Sequence, residues 1–210
     1  MKRIFLTVSA IFAMSFMNAQ EIKFGAKAGL NISTFNGDVA NYDVKSKAGF
    51  HVGGFVEVKL TDKFSVQPEL LYSMQGAKLE YSVSDEFSSA SDKQDIKLGY
   101  LNIPIMAKYY VIPGLSIEAG PQVGFLLSAK SKYATTYFVG EELSESGEED
   151  IKDDSKSVEF GFNFGAGYEF TENIFVQARY NLGLTSFSEN AVNEFDPKNG
   201  VFQISLGYKF

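Results

Sequence analysis

The chain has no cysteine, no tryptophan and a single histidine. Without cysteine there is no disulfide, no thiolate metal site and no thiol for lipid attachment. From Gln20 onward no apolar run approaches the roughly 18 residues that a membrane-spanning helix needs. Positive charge is scarce as well: 19 Lys and Arg stand against 26 Asp and Glu, a net charge of −7. Nucleic acid is excluded as a partner, because no basic patch is available to follow a phosphate backbone. What the chain does have is 20 Phe, 11 Tyr and 19 Gly in 210 residues. Aromatic residues favour strands and glycine disfavours helices, so the composition leans toward β structure.

The first residues stand apart from the rest. Lys2 and Arg3 precede an apolar run from Ile4 to Phe16, and Met17-Asn18-Ala19 then offers a small residue before Gln20. That order is the charged head, apolar middle and cleavage site of a secretory signal peptide. The division expected is therefore a signal peptide over 1–19 and one exported domain over 20–210.

Within that domain, apolar and polar residues alternate with period two, as in strands with two unlike faces. In the segment Val158–Phe170, Val158, Phe160, Phe162, Phe164, Ala166, Tyr168 and Phe170 share one face, opposite Glu159, Gly161, Asn163, Gly165, Gly167 and Glu169. The closing segment sets Phe202, Ile204, Leu206, Tyr208 and Phe210 against Gln203, Ser205, Gly207 and Lys209. Comparable strands are predicted near 22–33, 48–60, 64–81, 97–111, 115–129 and 174–184. About eight result, each long enough for the roughly 9–11 residues of a tilted membrane strand. Short connections of turn composition (Thr61-Asp62-Lys63, Ile112-Pro113-Gly114, Thr171-Glu172-Asn173) alternate with long polar ones over 34–47, 82–96, 130–157 and 185–200. An up-and-down barrel places all the short turns at one rim, together with both termini, and all the long loops at the other. Outer-membrane barrels have this asymmetry, with the short turns periplasmic and the loops extracellular.

Alternation alone does not say which face points inward, since a soluble barrel would enclose its apolar face. Large apolar residues on nearly every strand would overfill so narrow an interior, whereas Gly, Ser, Asn and Gln suit a crowded polar lumen. Phe64, Tyr109, Phe170, Tyr208 and Phe210 also fall at the short-turn ends, where an interfacial aromatic girdle belongs. The fold expected is an all-β, eight-stranded antiparallel transmembrane barrel. Two segments, Lys23-Phe24-Gly25-Ala26-Lys27-Ala28-Gly29-Leu30-Asn31 and Tyr100-Leu101-Asn102-Ile103-Pro104-Ile105-Met106-Ala107-Lys108-Tyr109, resemble the family of small outer-membrane β-barrels described as porin-like or PorT-like. The resemblance covers essentially the whole exported part and speaks for the fold more than for an activity. It implies residence in the bacterial outer membrane and contact with outer-membrane lipid and lipopolysaccharide. It further implies that Leu206, Tyr208 and Phe210 form the terminal signal read by the barrel-assembly machinery. Some members of the family serve a secretion apparatus.

Counting from the short-turn ends places Lys27, Glu57, Glu69, Lys108, Glu118 and Arg179 at similar heights on the inner face, three charges of each sign. Pairing Val111 with Leu115 sets Lys108 opposite Glu118, and Gly165 faces Arg179 with room for its guanidinium. A salt-bridged plug is one reading of these charges, and plain filling of the lumen is the other. Eight strands enclose only enough space for their own side chains, so no open pore is expected. His51 faces the lumen near the long-loop rim. Catalysis by it would need a serine and an acid within hydrogen-bonding reach, which sequence spacing does not supply. The acids Glu141, Glu142, Glu145, Glu148, Glu149, Asp150, Asp153 and Asp154 lack the spacing of a calcium loop and read as a solvated loop. Weak divalent binding, bridging to lipopolysaccharide phosphates, is their other reading. No cofactor, metal or catalytic residue is expected. The leading reading is a non-enzymatic envelope component that meets envelope proteins through its long loops. A secretion or assembly accessory and a lipid-modifying enzyme centred on His51 are the alternatives.

Overall fold

The computed structural model describes residues 21–37, 42–84, 89–139, 141–188 and 196–210. The expected signal peptide lies outside the described residues. The described chain folds into nine strands: β1 (Ile22–Asn36), β2 (Asp43–Thr61), β3 (Phe64–Ser84), β4 (Ser89–Ile112), β5 (Leu115–Val139), β6 (Glu141–Asp150), β7 (Val158–Glu169), β8 (Ile174–Ser186) and β9 (Lys198–Lys209). Eight of them close a ring in the order β1-β2-β3-β4-β5-β7-β8-β9, with β9 returning to pair with β1. Every neighbouring pair is antiparallel. The ninth strand, β6, folds back on the outer half of β5 and lies outside the ring.

The short connections fall where turn residues stand. Asp62-Lys63 joins β2 to β3, and Pro113-Gly114 joins β4 to β5, with Gly114 at φ +83°. A side chain is disfavoured at that angle. Between β7 and β8, Thr171 Oγ1 accepts hydrogen bonds from the backbone of Asn173 (3.2 Å) and Ile174 (3.0 Å), which tightens the turn.

Alternation settles the two faces. Phe24, Leu30, Ile105, Ile117, Phe160, Ile204 and Leu206 point out, each between 51 and 68% exposed. The partners of opposite parity point in and are buried, among them Asn31, Gln67, Asn102, Asn163, Gln177 and Gln203. At the short-turn rim Phe64, Tyr109, Phe170, Tyr208 and Phe210 face outward. Tyr208 packs edge-on to Phe210 with ring centroids 5.5 Å apart.

The long-loop rim differs from the sequence expectation. Segments 34–47, 82–96 and 130–157, read as loops, are largely strand: β2 starts at Asp43, β3 runs to Ser84, β4 starts at Ser89 and β5 runs to Val139. Strand β4 has 24 residues against 12 in β7, or about 80 Å against about 40 Å of extended chain. The outer halves of β2 to β5, with β6 at the edge, thus form a sheet that rises from one side of the ring. Alternation missed it because both faces there mix polar with apolar residues. Cross-strand pairs hold the sheet: Lys45 bonds Glu80 at 2.5 Å, Lys47 bonds Asp95, and Thr135 and Tyr42 donate to Asp92 at 2.8 and 3.1 Å. The expected acidic loop is β6 over Glu141–Asp150. There Glu148 takes bonds from Lys130 (2.9 Å) and Lys132 (3.0 Å) on β5, which draw its carboxyl down to about 2. Because that value lies below the ordinary one, the tie is complete at neutral pH. It weakens as pH falls from about 4.5 toward 2.

Beneath this sheet the lumen is apolar, a feature the sequence reading did not include. Phe35, Leu79, Ile96, Leu98, Tyr100, Leu126 and Phe187 form a buried cluster, with Phe35 stacked on Phe187 at 4.7 Å. Leu79, Leu98 and Tyr100 share strands with inward polar residues, and their size was the available signal.

Since the chain has no cysteine, single cysteines report topology directly. On intact cells, Glu145→Cys in β6 should react with a membrane-impermeant maleimide, whereas Asp62→Cys should react only after lysis. The reverse pattern overturns the rim assignment.

Candidate functional site: a charge-filled lumen

The candidate residues Lys27, Glu57, Glu69, Lys108, Glu118 and Arg179 all lie inside the ring, none more than 4% exposed. They belong to two layers rather than one. In the deeper layer, Arg179 on β8 bonds both oxygens of Glu69 (2.8 and 3.0 Å) and donates from Nε to Glu118 (2.9 Å). Lys27 on β1 joins Glu69 at 2.7 Å. Gln177 donates to Glu118 at 2.6 Å and accepts from Lys27 at 2.8 Å. Two cations thus meet two carboxylates across four strands, and the layer is neutral.

The second layer lies toward the short-turn rim. Lys209 pairs with Glu57 and Glu169, each at 2.7 Å, while Lys108 pairs with Glu57 at 3.3 Å and Glu169 at 3.7 Å. The Tyr110 hydroxyl lies within hydrogen-bonding reach of Glu57 and of Glu169, the latter at 2.8 Å, and has one proton to share between them. This layer is neutral too. Beyond it opens a vestibule of about 350 Å³ whose floor includes Glu57, Tyr110, Glu169 and Lys209. Gln67 links the layers, accepting from Lys108 at 3.3 Å and donating to Glu69 at 2.8 Å.

Two expectations need correction. Lys108 and Glu118 do sit opposite each other on one face, yet they form no ion pair. Each reaches across the lumen instead, Lys108 to Glu57 and Glu118 to Arg179, because long side chains in a narrow ring meet facing strands more readily than wall neighbours. Gly165 does face Arg179, but the atoms crowding it are backbone: a Cβ there would stand 2.3 Å from the Ala178 carbonyl. The glycines that make room for lumen side chains are others. A Cβ on Gly25 would stand 2.2 Å from the Phe55 ring, and one on Gly207 2.1 Å from the Phe175 ring. These rings pack edge-on at 5.5 Å, and Phe175 lies 5.8 and 5.7 Å beneath the ammonium groups of Lys108 and Lys209. Lys209, Glu169 and Tyr110 were missed as network members, although Lys209 and Glu169 share a face with Gly207 and Gly167 in the alternation.

Higher in the lumen, His51 donates from Nδ1 to Asn31 Oδ1 and accepts at Nε2 from the Ser205 hydroxyl, both at 2.7 Å. Asn31 Nδ2 is committed to Ser73 and to the carbonyls of Phe50 and Met74, which fixes this polarity. The order Ser–His–Asn is that of a nucleophile and its base. All three are enclosed, however, at 3% exposure or less, and lipid outside meets Phe50, Val52 and Ile204 instead. Leu206, Tyr208 and Phe210, expected from the resemblance to form an assembly signal, project outward at 61, 48 and 75% exposure.

The family described as outer membrane protein beta-barrel domain matches residues 18–189. The chain belongs to this family. Among solved structures, this outer-membrane barrel is similar to Neisserial surface protein A, with TM-score 0.50 and 13% identity over 89% of this chain and 97% of that one. It is also similar to the attachment invasion locus protein Ail of Yersinia pestis (0.47, 16%, over 90% and 99%) and to OprG of Pseudomonas aeruginosa (0.46, 14%, over 90% and 95%). No curated protein matches it. Identities this low speak for the fold alone. The family places the protein in the bacterial outer membrane.

The deeper layer of this barrel gives a quantitative expectation. Arg179→Met leaves two buried carboxylates short of charge and should cost about 3–5 kcal/mol. Adding Glu118→Gln alone, which restores neutrality with Lys27 still paired to Glu69, should recover much of it, read as urea midpoints from heat-modifiable gel mobility. Separately, Gly207→Ala should cost about 1–3 kcal/mol through overpacking on Phe175, and Phe175→Leu should relieve it.

Proposed function

We propose that the protein is a non-enzymatic anchor for surface interaction, in which a sealed barrel carries a rigid extracellular sheet to its partners. The observation that carries this reading is the continuation of β2 to β5 beyond the ring, with β6 as a free edge. A sheet edge presents unpaired backbone groups to which another strand can add. The described side chains of β6 include Glu145, Glu148, Glu149 and Asp150 and no base, so a basic extended segment is the complementary partner. Outer-membrane lipid and lipopolysaccharide surround the wall, and the barrel-assembly machinery reads the outward Leu206, Tyr208 and Phe210 during insertion.

Two neutral charge layers, the Phe55–Phe175 pair and the apolar cluster fill the lumen in series, which supports the absence of a water path. In planar bilayers the protein should show no large steady conductance, and stable openings of porin size would contradict the seal. A photoreactive residue at Ser144 or Ser146 of β6 should yield a defined protein adduct on whole cells, whereas one at lipid-facing Ile117 should not. An adduct with a stoichiometric secretion-complex subunit would favour the accessory reading; no adduct at either β6 position removes the edge from consideration. Outer-membrane lipids of a deletion strain should be unchanged by mass spectrometry, and an altered acylation pattern would revive Ser205 and His51 as an enzyme.

A further inference from the structure

Between the apolar cluster and the charge layers lies a carboxylate with no cation beside it. Glu159, on the inner face at the outer end of β7, is 6% exposed. It takes part in none of the ion pairs found among the described residues. Its donors are neutral: Asn199 Nδ2 on β9 at 2.5 Å and the Tyr100 hydroxyl, which itself stands 3.5 Å from that amide nitrogen. With its donor so committed, Asn199, itself fully buried, is left with an Oδ1 that has no partner.

A second amide is in the same position. Asn181 on β8 donates to Asn163 Oδ1 at 3.1 Å, and Asn163 passes its own donor to Gln122 at 3.2 Å. That chain fixes the orientation of Asn181, which is 2% exposed, and leaves its Oδ1 unpartnered. The carboxylate and the amides flank a cross-strand pair of glycines, Gly161 opposite Gly183. A Cβ on Gly183 would stand 3.2 Å from Glu159 Oε1 and 2.6 Å from the Asn199 backbone oxygen, and a Cβ on Gly161 2.9 Å from Asn181 Nδ2 and 3.4 Å from its Oδ1. Glu159 and two buried amide oxygens without donors thus belong to neighbouring positions of β7, β8 and β9 around this glycine pair.

A sealed carboxylate without counter-charge is costly, and an amide oxygen without a donor adds to the cost. The groups left over are hard oxygen acceptors carrying one negative charge in total. We propose that Glu159, Asn181 and Asn199 hold a single alkali cation, Na⁺ or K⁺, in the upper lumen. Carboxylate and amide oxygens are the ligand types that hard cations take. One positive charge balances the site, as the two layers beneath it are balanced by Lys and Arg. A divalent ion would leave a net positive charge between an apolar cluster and a neutral layer.

Crystals of the full exported chain grown in rubidium chloride and measured at the rubidium absorption edge test this. The expected result is an anomalous peak bounded by the oxygens of Glu159, Asn181 and Asn199, lost in Glu159→Gln. Ordinary solvent density without anomalous signal overturns the site, and a calcium peak in crystals that exclude rubidium overturns the monovalent assignment. In solution the thermal midpoint should be higher in rubidium chloride than in choline chloride of equal ionic strength, and equal midpoints would count against binding. Should Glu159→Gln fail to fold, Asn181→Leu keeps the Glu159–Asn199 bond while removing one ligand. Its rubidium occupancy should fall by half or more, and unchanged occupancy overturns the assignment.

Discussion

In a bilayer the backbone has no water to bond, so every amide and carbonyl at that depth must find a partner in the protein. The pairing of β9 with β1, from Gly25 opposite Lys209 to Asn36 opposite Lys198, meets this demand by removing both edges of the sheet. Much of the structure follows from that closure. A ring of eight strands is narrow, so whatever faces inward must fill the interior and be compensated there. The wall outside has only to be apolar, which explains why Phe, Leu and Ile recur on it with little apparent constraint on their pairing.

Compensation in the lumen is done layer by layer. Arg179 and Lys27 offset Glu69 and Glu118, and Lys108 and Lys209 offset Glu57 and Glu169. Such arrangements need not be more stable than an apolar filling of equal volume, but they penalise any register in which a partner is missing. A slip of one residue between β7 and β8 would turn Arg179 toward lipid and leave Glu69 and Glu118 unbalanced. The Phe55 and Phe175 rings, seated over Gly25 and Gly207, add a steric reason for the same register.

The ring was legible in the sequence because one face of each spanning strand meets lipid and the other meets the lumen, and unlike surroundings leave a period of two. The short turns were legible from Pro113-Gly114 and from the polar triplet Thr171-Glu172-Asn173. Where the strands leave the membrane this contrast blurs: Lys93 and Asp95 take one face while polar Gln94 sits between Leu79 and Tyr133 on the other, and the outer halves of β4 and β5 read as loop. The inner charges were recognisable by parity, but their pairing was not. Which carboxylate Arg179 meets depends on distances across the ring, and β8 and β3 are not adjacent in it. The Ser205–His51 contact, between β9 and β2, was beyond sequence reasoning for the same reason, and the unpartnered Asn181 and Asn199 follow only from side-chain geometry.

The continuity of β3, β4 and β5 through both environments has a mechanical consequence. No linker separates the part that protrudes from the part that is embedded, so a pull on the outer sheet is carried along the strand axes into the barrel. Antiparallel hydrogen bonds lie perpendicular to those axes, and such a load strains many of them together in shear instead of opening them one by one. A partner bound to the sheet is thereby tethered to the envelope through the whole ladder, and the attachment resists drag without any flexible neck to absorb it.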